Sequence, residues 1–282
     1  MNRDDFDMIC RLLRQRSGLV LSPDKAYLME SRLLPVARKW KLAGGFEDLV
    51  KSIRSKPDEA LIRDVVEAMT TNESFFFRDI KPFDQFKELV LPAMLKNRSG
   101  QRRLRIWSAA CSSGQEPYSL AMILSEMAAQ LAGWTIEIVA TDLSSEILAR
   151  AKEGVYSQFE VQRGLPVTLL VKYFIQSGDR WQISPKIRSM VDYREFNLLT
   201  DSMVLGRFDV VYCRNVLIYF DQETKAKVLD RVANLMPEDG FLFLGGAETV
   251  LGLTERFKLI NGQRGVYGVV PKSEQTKIAA AG

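Results

Sequence analysis

Residues Leu104 to Leu120 read as a buried strand, a turn of small residues from Ser108 to Gly114, and a helix opening at Pro117. This is the arrangement of a nucleotide-type cofactor site. Small side chains let backbone approach a ligand closely, and Pro117 suits a first helical turn because its missing N–H has no partner there. A second strand, Thr135 to Ala140, ends in Thr141-Asp142, where doubly wound folds place the acid that binds ribose hydroxyls. The same residue type also caps helices, so Asp142 has two readings. Phe208 to Cys213 is almost wholly apolar, as in a strand buried on both faces of a parallel sheet. It runs into Arg214-Asn215-Val216, where the Asn215 amide is placed either to read a ligand or to cap a turn. The strand ends converge on one crevice.

Composition narrows the chemistry. The 282 residues include no histidine, which removes the usual general base and metal ligand and with them Ser-His-Asp, Cys-His and zinc hydrolase mechanisms. Cys10, Cys111 and Cys213 have neither the pairing nor the spacing of a metal or disulfide framework and read as small packing residues; no metal site is expected. The turn Ala109-Ala110-Cys111-Ser112-Ser113-Gly114 holds one glycine, not the Gly-x-Gly-x-x-Gly of a pyrophosphate cradle. S-adenosylmethionine carries no phosphate and suits such a turn. A net charge of +4 is too weak to argue for nucleic acid. Basic residues do crowd the first segment, among them Arg11, Arg14, Arg16, Lys25, Arg32 and Arg38, as a solvated face or a docking face for an acidic partner.

The elements that must position these residues fall into two groups. Helical apolar spacing recurs to about residue 70, broken at Gly18, Ser22-Pro23, Gly44-Gly45 and Lys56-Pro57, so a small all-α domain comes first. A linker, Thr70 to Asp79, then a helix from Pro82 to about Lys96, lead into the first strand. Leu120, Ile123, Leu124, Met127 and Leu131 give the next helix one apolar face. A helix Ser145 to Glu153 ends at Gly154 in a left-handed cap, and Lys172 to Ser184 reads as a β-hairpin interrupting the larger fold. Strands at Val191–Phe196, Phe241–Leu244 and Val266–Val270, with a helix Thr224–Leu235, complete it. The expected organisation is a helical domain with linker over 1–80, an α/β domain over 81–271 with an insertion at about 155–190, and a disordered tail over 272–282. With no apolar run of ~20 residues and no signal-like start, membrane insertion is not expected and a cytoplasmic location is.

Several motifs together carry a resemblance: Thr70-Thr71-Asn72, Phe76-Phe77-Arg78, Trp107 through Ser119, Ala140-Thr141-Asp142, Asn197-Leu198-Leu199, and Cys213-Arg214-Asn215-Val216-Leu217-Ile218-Tyr219-Phe220. From about Phe6 to Val270 the chain resembles the chemotaxis receptor methyltransferase family, CheR. The resemblance implies a Rossmann-like class I methyltransferase sheet with a small inserted β-subdomain behind an all-α domain. It also implies S-adenosylmethionine as cofactor, S-adenosylhomocysteine as product, and methyl esterification of glutamates on the cytoplasmic helices of chemoreceptors; separately, no long exposed apolar stripe demands an oligomer, and a monomer is expected. By resemblance Asn72, Ser74, Arg78, Glu116, Asp142, Asn197, Leu198, Asn215 and Val216 hold the cofactor, with Ser74 standing where family members commonly have Thr. Arg78 can grip a carboxylate with two parallel hydrogen bonds, that of the cofactor or of the substrate, or serve as a plain salt bridge. Tyr219 either orients the attacking carboxylate or is simply packed. Phe75, Phe76 and Phe77 read as a wedge between domains more than as an adenine stack. Members that tether to a receptor pentapeptide resemble one another in a longer, glycine-rich hairpin loop; here the connection is only Gln176 to Arg180, so tether-free methylation is expected. Two other readings compete. One is a nucleic-acid methyltransferase, for which Arg214-Asn215-Val216-Leu217 lacks the usual prolines; the other is a non-catalytic S-adenosylmethionine sensor.

Overall fold

The computed structural model describes residues 3–271, so the tail from Lys272 lies outside the described residues. Two compact units divide the chain, one up to Thr71 together with Tyr219–Thr224, the other Asn72–Ile218 and the chain from Lys225 onward. The division falls between Thr71 and Asn72, not near residue 80. The cause is tertiary: Phe76 and Phe77 lie in the hydrophobic core of the second unit, and the Phe77 N–H donates to Ser119 Oγ at 3.0 Å. These two rings therefore belong to the sheet's core, whereas Phe75 is only half-buried.

The first unit contains α1 (Arg3–Ser17), α2 (Ala26–Lys39), α3 (Phe46–Ser55) and α4 (Glu59–Met69). Ile9 and Leu13, Met29 and Leu33, Leu49 and Ile53, and Ile62 and Val65 recur at three- or four-residue spacing and are buried, which closes the small core. Asp58 caps α4 by accepting the Ala60 and Leu61 N–H groups at 2.8 and 3.3 Å. The segment Tyr219–Thr224 joins this unit through the Tyr219 carbonyl, which accepts the Val20 N–H at 2.9 Å, and through an Arg14–Asp221 ion pair of 2.8 Å.

The second unit opens with α5 (Lys81–Gln85), a π-helical turn Phe86–Val90, and α6 (Leu91–Asn97). Then follow β1 (Arg103–Ala109), α7 (Gln115–Glu126), β2 (Thr135–Asp142), α8 (Ser145–Glu153), β3 (Val155–Ser157), α9 (Gln158–Gln162), α10 (Val167–Tyr173), β4 (Phe174–Ser177), β5 (Arg180–Ile183) and α11 (Pro185–Arg188). The unit continues through β6 (Val191–Glu195), β7 (Val210–Cys213), α12 (Gln222–Asn234, whose first three residues group with the first unit), β8 (Phe241–Leu244), β9 (Phe257–Leu259) and β10 (Val266–Val269). Seven strands form one sheet in the order β6-β2-β1-β7-β8-β10-β9, parallel except for β10, which runs antiparallel to both its neighbours. This is the Rossmann-like sheet expected from the sequence. Its strand order reverses between β1 and β7, and a ligand crevice lies beyond the carboxyl ends of the strands at such a point.

Two features of the β1 turn differ from expectation. Helix α7 begins at Gln115, so Pro117 is its third residue, still within the first turn where N–H groups lack intrahelical acceptors. Its residues are buried on all sides from Gln115 to Leu124, not on one face, because the insertion covers the outer side, with α11 packed on α7. Gly114 does not serve close approach of a ligand. Its φ is +90°, and a Cβ there would lie 2.5 Å from the Tyr193 hydroxyl and 3.1 Å from Ala151 Cβ, so protein fills the space.

The insertion is a three-stranded sheet, β3-β5-β4, whose hairpin turns at Gly178-Asp179. Gly154 caps α8 in the left-handed conformation, as expected. Tyr156 joins the insertion to the turn: its hydroxyl donates to the Ser113 carbonyl at 2.8 Å, and its ring meets Phe76 edge-on at 4.9 Å.

Gly114→Ala should destabilise the protein by about 2 kcal/mol, from a left-handed alanine plus a clash with Tyr193, read as a lower urea midpoint at unchanged slope. Burial raises the phenols of Tyr156, Tyr193 and Tyr212 well above their ordinary value and pushes Tyr118 up to about 12. Groups with raised folded pKa stabilise the fold fully below the unfolded value of ~10 and lose that contribution as pH climbs through the folded values. Stability should therefore hold to about pH 10 and fall steadily above it, with these phenols ionising only on unfolding in a titration followed at 295 nm.

Candidate active site

Three left-handed residues shape the turn after β1: Ala110 (φ 58°), Ser112 (φ 52°) and Gly114 (φ 90°). A non-glycine residue there costs roughly 1–2 kcal/mol, so the conformation needs fixed partners. The Cys111 N–H donates to the Thr141 carbonyl (2.9 Å), the Ser112 N–H to Asp142 Oδ2 (2.8 Å) and the Gly114 N–H to the Cys111 carbonyl (3.1 Å). With these three N–H groups engaged, the turn offers a pyrophosphate fewer unbonded donors than a glycine-rich cradle does. A nucleoside cofactor without phosphate fits, and S-adenosylmethionine is such a cofactor. Asp142 itself is buried, and its other oxygen accepts the Ser144 N–H at 3.1 Å. It is not the N-cap of α8; Ser144 is, accepting the Ile147 N–H at 3.3 Å. Asn72 meets the turn through its carbonyl, which accepts from Ser112 Oγ at 2.7 Å.

A buried cation fixes the neighbouring strand end. Arg214, directly after β7, has a side chain only 1% exposed. Its Nη1 donates to Glu116 Oε2 at 2.8 Å, and its Nη2 to Asp79 Oδ2 at 2.7 Å and to the Arg78 carbonyl at 2.9 Å. Glu116 Oε1 accepts from Ser108 Oγ at 2.8 Å. Glu116 is thus an anchor between β1, α7 and β7 at the floor of the crevice.

Among the described residues the Arg78 side chain makes no ion pair; its Nη1 donates to the Glu73 carbonyl at 2.9 Å. Arg78 and Arg163 both lie over the Phe75 ring, at 5.4 and 4.2 Å from its centre. Arg163 is already paired with Glu73 at 2.7 Å, and that bond holds the Glu73 carboxyl below its usual range. Ser74 is half-buried on the same segment. Asn197 Oδ1 accepts the Leu199 N–H at 2.9 Å, shaping the turn after β6, and the Leu198 carbonyl accepts from Arg231 at 3.2 Å. Asn215 is left-handed at φ 58°, and the N–H groups of Asn215 and Val216 both donate to Glu248, at 2.8 and 3.0 Å.

The structure therefore brings Asn72, Glu116, Asp142, Asn215 and Val216 to the ends of β1, β2 and β7 and their turns, while Asn197 and Leu198 follow β6. Tyr219 groups with the helical unit, where it is half-buried. Three supporting residues escape sequence reasoning as functional: Arg214 as a clamp, Tyr156 as a brace, and Glu248. An acidic residue just past a strand end, in Gly245-Gly246-Ala247-Glu248, is the one local signal for the last. Cys111 and Cys213 are buried, and burial raises both thiols well above their ordinary value, as suits packing residues.

Replacing Arg214 by Met should leave Glu116 buried without its counter-charge. Stability should drop by about 3 kcal/mol, as measured by urea unfolding.

Comparison with known proteins agrees with this geometry. Residues 4–70 match the family model described as CheR methyltransferase, all-alpha domain, and residues 72–266 match CheR methyltransferase, SAM binding domain. The chain is 41% identical to chemotaxis protein methyltransferase Cher2 of Pseudomonas putida, over 93% of this chain and 96% of that one. It is 42% identical to chemotaxis protein methyltransferase 1 of Pseudomonas aeruginosa over the same shares, and 38% identical to chemotaxis protein methyltransferase 1 of Vibrio cholerae over 93% and 95%. Two family models that together span residues 4–266, with these relatives, place the chain in the CheR family: it is an S-adenosylmethionine-dependent methyltransferase.

Proposed function

We propose that this enzyme forms methyl esters on glutamate side chains of chemoreceptor cytoplasmic helices, in the cytoplasm, and so serves sensory adaptation. The observation that carries the reading is Arg78, an arginine on the crevice segment that forms no ion pair among the described residues and donates to the Glu73 carbonyl, with the Glu73 carboxylate itself taken by Arg163. Arginine matches a carboxylate with two parallel hydrogen bonds. S-adenosylmethionine supplies, when bound, a methyl group on a positively charged sulfur. Asp142 would hold the ribose hydroxyls, Asn197, Leu198, Asn215 and Val216 the base, and Asn72, Ser74 and Arg78 the amino-acid end, with Glu116 bracing the floor. Tyr219 would orient the substrate carboxylate.

A glutamate with a pKa of ~4.3 is ionised at neutral pH and needs no general base to act as a nucleophile. A chain without histidine is adequate for that chemistry. The protein's work is then alignment in a site closed to water, worth roughly 7–11 kcal/mol. The product ester removes a negative charge from a receptor helix and relieves like-charge repulsion there.

Docking on an acidic receptor surface draws on the helical unit. Several of its basic residues are engaged within it: Arg16 with Glu59, Lys39 with Asp64, and Arg32 with the Met69 and Thr70 carbonyls. Arg11, Lys25, Arg38 and Lys41 are exposed and form no ion pair among the described residues, so they are available to a partner. The two-residue turn of the β4–β5 hairpin supports methylation without a receptor pentapeptide tether.

Transfer of radioactive methyl groups from S-adenosylmethionine to receptor-containing membranes should give label that alkali releases as methanol. Arg78→Ala should lower kcat/KM about a hundredfold, ~3 kcal/mol of lost transition-state binding, while receptors lacking their C-terminal tail should be methylated as well as intact ones. Cofactor binding without any alkali-labile label would overturn the ester assignment and favour a sensor or another substrate.

A further inference from the structure

The geometry points to Glu248 as the positioning residue that sets cofactor affinity, by holding Asn215 and Val216 in their binding conformation. The inference rests on the reading that these two residues contact the cofactor.

One carboxylate here takes four backbone donors. Glu248 Oε2 accepts the N–H of Asn215 at 2.8 Å and of Gly245 at 2.7 Å; Oε1 accepts the N–H of Val216 at 3.0 Å and of Ile218 at 3.3 Å. That matches the acceptor capacity of an ionised carboxylate, with each bond strengthened by its charge. Consecutive N–H groups turned toward one point form a concavity that suits an anion. In this protein the anion is a side chain from 33 residues further along, so the turn is shaped before any ligand arrives.

The conformation needs that support. Asn215 is left-handed at φ 58°, and asparagine tolerates this region better than most residues but not without cost. With its N–H fixed on Glu248, Asn215 leaves β7 in one orientation, and its side-chain amide makes no hydrogen bond among the described residues. Gly245 permits the contact. A Cβ at 245 would lie 2.7 Å from Glu248 Oε2, 2.8 Å from Asn215 Nδ2 and 3.0 Å from the Asn215 nitrogen. Glu248 therefore acts on the cofactor only through backbone, by fixing where Asn215 and Val216 present themselves.

Three single variants of the full chain and one double variant test this, with affinity for S-adenosylhomocysteine read by calorimetry and folding by thermal midpoint. Glu248→Gln keeps one carbonyl oxygen but turns an NH2 group toward the backbone donors; it should weaken binding at least tenfold. Gly245→Ala keeps the carboxylate and forces it away from Asn215, and should weaken binding comparably; it carries the test if the glutamine variant does not fold. Asn215→Ala should weaken binding too, and adding Glu248→Gln to it should cost less than Glu248→Gln costs alone, because both act through one contact. Binding by the folded Glu248→Gln and Gly245→Ala proteins within twofold of the parent, with Asn215→Ala impaired, would overturn this inference alone. Full binding by Asn215→Ala would overturn the assignment of Asn215 to the cofactor and this inference with it. A merely structural Glu248 would lower the thermal midpoint while leaving the affinity of the folded protein unchanged, and that result also overturns it.

Discussion

A guanidinium whose side chain is 1% exposed has to find its counter-charges where it lies, and Arg214 finds them on two other segments. Glu116 comes from the first turn of α7, and Asp79 with the Arg78 carbonyl comes from the linker before α5. The linker is strained, with Phe77, Asp79 and Ile80 all at positive φ. Each such residue costs roughly 1–2 kcal/mol, so the run persists only because something over-determines it. Arg214 and the burial of Phe76 and Phe77 do so together. Where Arg78 stands is thus decided by a cation at the end of a strand far along the chain.

Carboxylates perform in this crevice the role that ligand phosphates perform in dinucleotide folds. Asp142 takes the Ser112 N–H, and Glu248 takes those of Asn215 and Val216. A turn that waits for a phosphate must keep its N–H groups unbonded and its residues small. Here the turns are completed by the protein's own anions, so they can carry left-handed non-glycine residues such as Ser112 and Asn215. On the proposed reading the cofactor meets turns whose shape the protein's own anions have fixed, which suits a nucleoside that brings no phosphate.

What was legible in the sequence follows from range. The strands β1, β2 and β7 announce themselves as apolar runs, and their ends place Asp142 and Asn215 without reference to anything distant. The order along the chain, a helical unit and then an α/β sheet, was legible for the same reason. Strands β3 and β9, of three residues each, are too short for any period to register. Helix α7 starts two residues before Pro117, which has the character of a first position, and the insertion covers the side opposite its apolar stripe, which no helical spacing reveals. Nothing local tells that Gly114 makes room for Tyr193, that Tyr219 sits with the helical unit, or that Glu248 reaches Asn215. Those are contacts between segments, and spacing does not carry them.

Charge pairing also separates the arginines around the crevice by what they are able to do. Arg163 is paired with Glu73, and Arg214 with Glu116 and Asp79. Arg78 lies on the same segment as Glu73 and Asp79, yet donates only to a backbone carbonyl. A neutral acceptor holds a guanidinium in place less tightly than a carboxylate would, so an arriving carboxylate displaces little. On the proposed reading both the substrate and the tail of the cofactor present carboxylates, and the chain offers no histidine to handle a proton. Rate must then come from holding an already ionised oxygen in line. That places the demand on backbone held in place by ion pairs, and the segment that carries Arg78 is tied on one side to the buried Arg214 through Asp79 and on the other to Arg163 through Glu73.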